Sequence, residues 1–325
     1  MSDLLKSIDE RTKLAGTNKL EILLFSLGQD DRTGRTETFG INVFKVREVI
    51  RPPEITAAPD MPGAVEGMVS LRGALVPVVD LARFTGIRKD TKPEIMIVTE
   101  YNAHTQGFLV DSVDTILRLN WNQMKVPPEM LNAQMGGLVT AVTELPDGRL
   151  VMVMDVEKVL SETSNYDDAA IYNSIKPLPV TEGKRVLFAD DSAVARKQIE
   201  KTLAALGITY VSTVNGLQAQ EELEKIAEAA ANSGKKVKDL INLVITDVEM
   251  PEMDGYILCK YIKSDSRYTG IPVIMHSSLS TGQNQQLGRM VGVDAYVSKF
   301  EPQKLANIIV SMLQGVAPNE DEDSI

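Results

Sequence analysis

At 325 residues, 43% hydrophobic and 24% charged, the chain is too long for one ordinary core and predicts two compact domains rather than a disordered or fibrous polymer. Its net charge of −11 excludes wholesale nucleic-acid binding, which needs a basic face. A single cysteine, Cys259, excludes an intramolecular disulfide; a mixed-charge N-terminus and the lack of any apolar run near the ~20 residues of a membrane span predict a cytoplasmic protein without direct membrane insertion.

From about Lys19 to Leu160, short apolar or alternating runs separated by turn residues predict an all-β domain. The runs are Leu20 to Leu27, Thr38 to Val46, Met68 to Leu71, Ala74 to Leu81, Ile95 to Thr99, Gly107 to Val110 and Leu150 to Met154. Pro77 assigns its run to an edge strand or a bulge, since proline cannot donate to a ladder. Val43, Val46 and Val49 are expected in the core, and His104 in a turn. This half has no paired acids at strand ends, no phosphate loop and only that one histidine, so no hydrolytic or nucleotide-dependent site is expected there.

Ser161 to Gly183 carries acids, Asn, Ser and two spaced prolines, Pro177 and Pro179, and reads as a linker; the expected division is 18–164, linker 165–183, and 184–315. From Lys184 apolar runs alternate with helical periodicity, the pattern of a doubly wound parallel α/β domain. The predicted strands are Arg185 to Ala189, Thr209 to Val214, Ile241 to Thr246, Pro272 to Met275 and Ala295 to Val297. In the first helix Val194, Ile199, Leu203 and Leu206 share a face, with Ser192 as cap and Gly207 as stop. Asn319 to Ile325 is an acidic tail expected to fray.

Ligands of a doubly wound sheet bind beyond the carboxyl ends of its strands, and there the chemistry concentrates. Asp190 and Asp191 follow the first run, Asp247 the third and Ser277 the fourth, with Lys299 two residues after the fifth. Singly, Asp191 or Ser192 could cap a helix and Lys299 could be a solvated surface residue; together, at one sheet edge, they fit one phosphoryl group. Three clustered carboxylates call for a cation, and hard oxygen ligands suit Mg²⁺. A carboxylate beside that metal can attack a phosphoryl group, making Asp247 an aspartyl phosphate, while an ammonium and a hydroxyl hold the oxygens.

These residues resemble the response-regulator receiver family across about Lys184 to Gly315. The resemblance rests on Phe188-Ala189-Asp190-Asp191-Ser192, on the stretch from Ile245 through Asp247-Val248-Glu249-Met250-Pro251 to Gly255, on Ile271 to Ser278 and on Gly292 to Lys299. It implies Asp247 as phosphoacceptor, Asp191 as direct Mg²⁺ ligand with Asp190 acting largely through water, and the Glu249 backbone carbonyl completing the metal site. It also implies Ser277 as switch hydroxyl, Lys299 as phosphoryl contact, and Tyr296 swinging inward when Ser277 moves. Two departures stand out: Lys299 is followed by Phe300, with proline only at Pro302, and Glu249 places a bulky acid near the path of the hydrolytic water, where it is expected to change the phosphate lifetime.

The first half resembles the CheW chemotaxis coupling domain from about Asn18 to Ser164, on Phe39-Gly40-Ile41-Asn42-Val43-Phe44-Lys45-Val46-Arg47-Glu48-Val49-Ile50 and the stretch Gly67 to Leu81 with its Leu71-Arg72-Gly73 turn. That family folds as paired small β-barrels and docks chemoreceptors and the chemotaxis histidine kinase, which implies Arg72 as a docking residue. The two domains in this order resemble the CheV type of coupling protein. The implied function is an adaptor, recruited to membrane-associated receptor arrays and regulated by phosphorylation of Asp247 from a kinase phosphohistidine; the alternative is a phosphate sink. A separate enzyme is disfavoured, because Asp247-Val248-Glu249 lacks the second Asp of an Asp-x-Asp phosphatase and no Gly-x-Ser-x-Gly elbow occurs; nothing after Gly315 could form a DNA-reading helix-turn-helix.

Overall fold

Strands that are apolar on both faces organise the first half of the computed structural model, which describes residues 19–57, 63–87, 92–101, 104–163, 169–278, 282–299 and 301–316. The chain divides into two units between residues 165 and 166. In the first lie β1 (Lys19–Gln29), β2 (Thr36–Asn42), β3 (Val46–Ile50), β4 (Val65–Leu71), β5 (Ala74–Asp80) and α1 (Leu81–Thr85). They are followed by β6 (Ile95–Tyr101), β7 (His104–Val110), β8 (Ser112–Asn120), α2 (Glu129–Gln134), β9 (Val139–Glu144), β10 (Leu150–Met154) and α3 (Val156–Thr163). They form two five-stranded sheets, ordered β8-β1-β2-β10-β9 and β3-β6-β7-β5-β4.

The period-2 geometry of β1 explains the layering. Leu20, Ile22 and Leu24 pack with Leu119, Met124, Val151 and Val153 on one face. Leu23, Phe25 and Leu27 point the other way, into a cluster with Phe39, Ile41, Ile97 and Phe108. The second sheet repeats the division: Val76, Val78, Met96, Val98 and Leu109 form its own cluster, while Val79, Ile97 and Val110 join the shared one. Each sheet therefore has a private interior and one face in a common core, the paired all-β arrangement that the resemblance implies.

Four local expectations need correction. The run from Thr38 to Val46 is broken, because Asn42 Oδ1 accepts from Phe44 N at 3.0 Å and a 3₁₀ turn over Val43–Lys45 carries the chain into the other sheet. β5 is an interior strand and not an edge: it pairs with β7 only from Val78 onward, so Pro77 sits one residue before that ladder and its missing N–H costs nothing there. His104 opens β7 opposite Tyr101 instead of lying in a turn. Finally, β3 beyond Val46, β8, β9 and the helices of this unit were not predicted; α3 buries Val156, Val159 and Leu160 in the shared core.

In the second unit, α4 (Ala169–Ser174) precedes β11 (Arg185–Ala189), α5 (Ala193–Ala205), β12 (Thr209–Thr213), α6 (Gly216–Asn232) and β13 (Leu243–Thr246). Then come α7 (Gly255–Ser264), β14 (Val273–Ser277), α8 (Gly282–Val291), β15 (Ala295–Ser298) and α9 (Pro302–Gln314). The five strands are all parallel, in the order β12-β11-β13-β14-β15. Alternation again sorts the core: Val186 and Phe188 meet α5 and α9 through Ile199, Leu203, Leu305 and Ile309. Leu187 and Ala189 meet α6 and α7 through Ala219, Leu223, Leu258 and Cys259.

Part of the stretch predicted as linker is folded onto this unit. Ile175 is buried in the α5–α9 cluster, Thr181 Oγ1 donates to Leu206 O at 2.8 Å, and the Lys201 ammonium lies 5.2 Å from the Tyr172 ring centre. In α5, Ser192 caps as expected, but Ala195 is buried where Val194 was predicted to be, and Val194 is only half-buried. Asn319 to Ile325 lies outside the described residues, and among those described no helix is long and apolar enough to cross a membrane.

Candidate functional site

Backbone bonds extend the parallel ladder one residue beyond the strands, and this pins each side chain of interest. Asp190 N donates to Thr213 O at 3.2 Å, Asp247 N to Ala189 O at 2.8 Å and Lys299 N to Ser277 O at 3.2 Å. The carboxyl ends of β11, β13, β14 and β15 thus bring together residues more than a hundred positions apart.

Asp190, Asp247 and Lys299 are 0%, 4% and 2% exposed. The Lys299 ammonium lies 3.0 Å from Asp190 Oδ2 and 2.9 Å from Asp247 Oδ2. Ser192 N donates to Asp190 Oδ1 at 2.9 Å, and Val248 N to Asp247 Oδ1 at 2.6 Å, which fixes both carboxylates. Asp191 is half-buried beside them, and one carboxylate oxygen from each of Asp190, Asp191 and Asp247 falls within 4.8 Å of the others. Three carboxylates against one ammonium leave two net negative charges in a largely desolvated place, which a divalent cation would balance. An all-oxygen donor set open on the Asp191 side fits Mg²⁺.

Close approach of α7 shapes the same edge. A Cβ on Gly255 would stand 1.9 Å from Asp247 O, so only glycine lets the helix start this near the acidic residue. Gly255 N donates to Val248 O at 3.0 Å, and Asp254 caps α7 by accepting from Ile257 N at 2.8 Å. The following residue, Tyr256, is hydrogen-bonded to Tyr296, which is hydrogen-bonded to the buried Ser277 hydroxyl. Burial first, and the neighbouring Tyr256 next, hold the Tyr296 phenol above its ordinary range; burial and then the Glu249 charge do the same for Tyr256. Both phenols therefore keep their protons and can donate.

The structure brings Asp190, Asp191, Asp247 and Lys299 into one cluster, and it links Ser277 to Tyr296 beside them. Glu249 is half-buried, with its charge felt by both tyrosines. Phe300 lies outside the described residues and Pro302 opens α9. Arg72 belongs to the first unit, where Arg72 and Gly73 have φ of 51° and 86° in a two-residue hairpin between the paired Leu71 and Ala74. Two positive φ values match the twist of tight hairpins. Its side chain is 69% exposed yet tethered, 2.9 Å from Glu48 Oε2.

Two participants escaped the sequence reading. Arg196, in the first turn of α5, donates to the carbonyl oxygens of Asp190 at 2.8 Å and Asp191 at 2.9 Å. Its spacing, four residues past a capping serine, was a usable signal. Tyr256 had none, since nothing in its neighbours announces a partner on β15.

Residues 21–164 match the CheW-like domain and residues 186–310 the response regulator receiver domain. The chain is 30% identical over 307 residues to chemotaxis protein CheV3 of Helicobacter pylori, covering 91% of this chain and 95% of that one. It is 27% identical over 332 residues to CheV1 of the same organism, covering 97% and 99%. Its first half is 30% identical over 154 residues to chemotaxis protein CheW of Klebsiella aerogenes, covering 46% of this chain and 87% of the relative. Carrying both domains and aligning with CheV1 and CheV3 over nearly their full length, the chain belongs to the CheV family of chemotaxis proteins.

Proposed function

We propose that this chain is a chemotaxis adaptor: its first unit couples chemoreceptors to the chemotaxis histidine kinase, and Mg²⁺-dependent phosphorylation of Asp247 in its second unit regulates that coupling. The observation that carries the reading is the buried Asp190–Lys299–Asp247 contact with Asp191 beside it, a charge arrangement built for one cation and one phosphoryl group. When bound by Asp190, Asp191, Asp247 and the Glu249 carbonyl, Mg²⁺ would supply positive charge to the phosphoryl oxygens.

An Asp247 oxygen attacks the phosphorus of a kinase phosphohistidine. The new O–P bond forms as the P–N bond breaks, and the imidazole leaves with the electron pair and is protonated by solvent. Lys299, already within 2.9 Å of Asp247, transfers its contact to a phosphoryl oxygen. Ser277 turns its hydroxyl to another and gives up Tyr296, so the rearranged Tyr256–Tyr296 pair reports the modification and biases a two-state equilibrium. Glu249 acts on the lifetime of the acyl phosphate. Arg72, projected from its hairpin beside the 71% exposed Leu75, contributes to docking in the first unit. The chain acts as a phosphoacceptor without a catalytic domain of its own, in the cytoplasm at membrane-associated receptor arrays.

Co-sedimentation with receptor–kinase assemblies, with and without phosphorylation, tests the reading. An affinity that changes on phosphorylation is expected; binding that ignores it would make the chain a phosphate sink that the first unit merely localises.

A further inference from the structure

The loop between β13 and α7, residues 247–254, carries both Asp247 and Glu249, and its far end is held from outside. Asn215, which is completely buried, caps α6 by accepting from Gln218 N at 2.8 Å through Oδ1. Its Nδ2 then points away from the helix and donates to Glu252 Oε2 at 2.8 Å. The two bonds use opposite ends of the amide, so neither works with the amide reversed. Glu252 itself has φ of 67°, a left-handed conformation that is strained for a side-chain-bearing residue and persists only where surroundings enforce it. The next residue of α6 adds a second grip: Gly216 N donates to Met253 O at 3.2 Å, and a Cβ there would stand 2.6 Å from that same oxygen. Inside the loop, Met253 N donates to Pro251 O at 2.7 Å and Met250 is fully buried, so a shift at Glu252 is passed back along a short, constrained stretch.

We propose that Asn215 and Glu252 form a positioning pair that fixes the β13–α7 loop and, with it, the backbone carrying Asp247 and Glu249 to the metal. The inference rests on the Mg²⁺-dependent reading of the acidic cluster. Neither residue touches the reacting atoms; they act through the loop, as outer-shell partners of metal ligands do.

Asn215→Asp separates positioning from capping. Aspartate caps a helix as well as asparagine and adds a negative charge where the helix dipole favours one, so α6 stays intact. The donor to Glu252, however, becomes a second carboxylate facing the first. Isothermal titration of the full-length protein with Mg²⁺ is expected to show roughly ten-fold weaker binding in Asn215→Asp. A through-space effect of the added charge would instead tighten binding, so the sign alone discriminates. The double variant Asn215→Asp with Glu252→Gln restores a donor on the opposite partner and is expected to recover wild-type affinity and, without metal, the melting temperature that Asn215→Asp lowers, while the circular dichroism spectra of all three folded proteins coincide. Wild-type binding that is matched by Asn215→Asp, or weakening that the double variant fails to rescue, would overturn the pair. A wild type that binds no Mg²⁺ would overturn the reading of the cluster and the positioning role together.

Discussion

The two units handle charge in opposite ways because their sheets run differently. In the mostly antiparallel first unit, strand ends point alternately up and down, and ion pairs such as Arg72–Glu48, Arg118–Glu21, Arg47–Glu100 and Arg83–Glu66 are scattered over it. In the second unit every strand is parallel, so all carboxyl ends share one edge and distant segments deliver Asp190, Asp191, Asp247, Ser277 and Lys299 to one place. A parallel sheet concentrates chemistry; a pair of antiparallel sheets spreads out a contact surface. Removing one group from the concentrated site should therefore cost function heavily, whereas removing one scattered pair should leave the fold almost untouched.

The largest effect is expected from Lys299→Met, which removes the cation between Asp190 and Asp247: phosphotransfer to Asp247 should fall by about 100-fold, the usual loss for one preorganised electrostatic contact, as measured by rapid-quench labelling. Gly255→Ala comes next, since its methyl would collide with the Asp247 carbonyl at 1.9 Å; a destabilisation of about 3 kcal/mol is expected in the urea transition of the second unit. Arg72→Ala sharpens the contrast, because its pair with Glu48 is exposed and should contribute under ~1 kcal/mol, while receptor–kinase binding weakens. A stability loss larger than the binding loss would make Arg72 a structural residue. The smallest effect concerns Cys259, whose thiol burial pushes up to about 12 from an ordinary value of about 9. Below pH 9 both folded and unfolded thiols keep their protons; between about 9 and 12 only the folded one does, so stability falls as pH rises through that window. Native protein at pH 8 should accordingly resist thiol-specific labelling until urea unfolds it.

The site was more legible in the sequence than the first unit's details, for a physical reason. A buried parallel strand is a short apolar run, and the residue that follows it sits at the ligand-binding edge, so Asp190, Asp247 and Ser277 are announced by what precedes them. The first unit's strands are apolar on both faces as well, but their ends carry no such meaning. The break at Asn42 depends on one side-chain bond to Phe44 N that looks like continued alternation in the sequence. β8 is largely exposed along Ser112–Asn120 and lacks a clean period. Pro77 misled because a proline's cost depends on where the neighbouring ladder begins, which only the register reveals. The Asn215–Glu252 bond joins residues 37 apart through a left-handed glutamate, a conformation the residue type does not signal.

The most direct test of the central claim is phosphotransfer from radiolabelled chemotaxis kinase to the wild type and to Asp247→Asn, each with Mg²⁺ and with EDTA. Label that reaches the wild type alone, and only with Mg²⁺, is the result expected from the buried Asp190–Lys299–Asp247 cluster. Label on neither protein, or equal label on both, would contradict it.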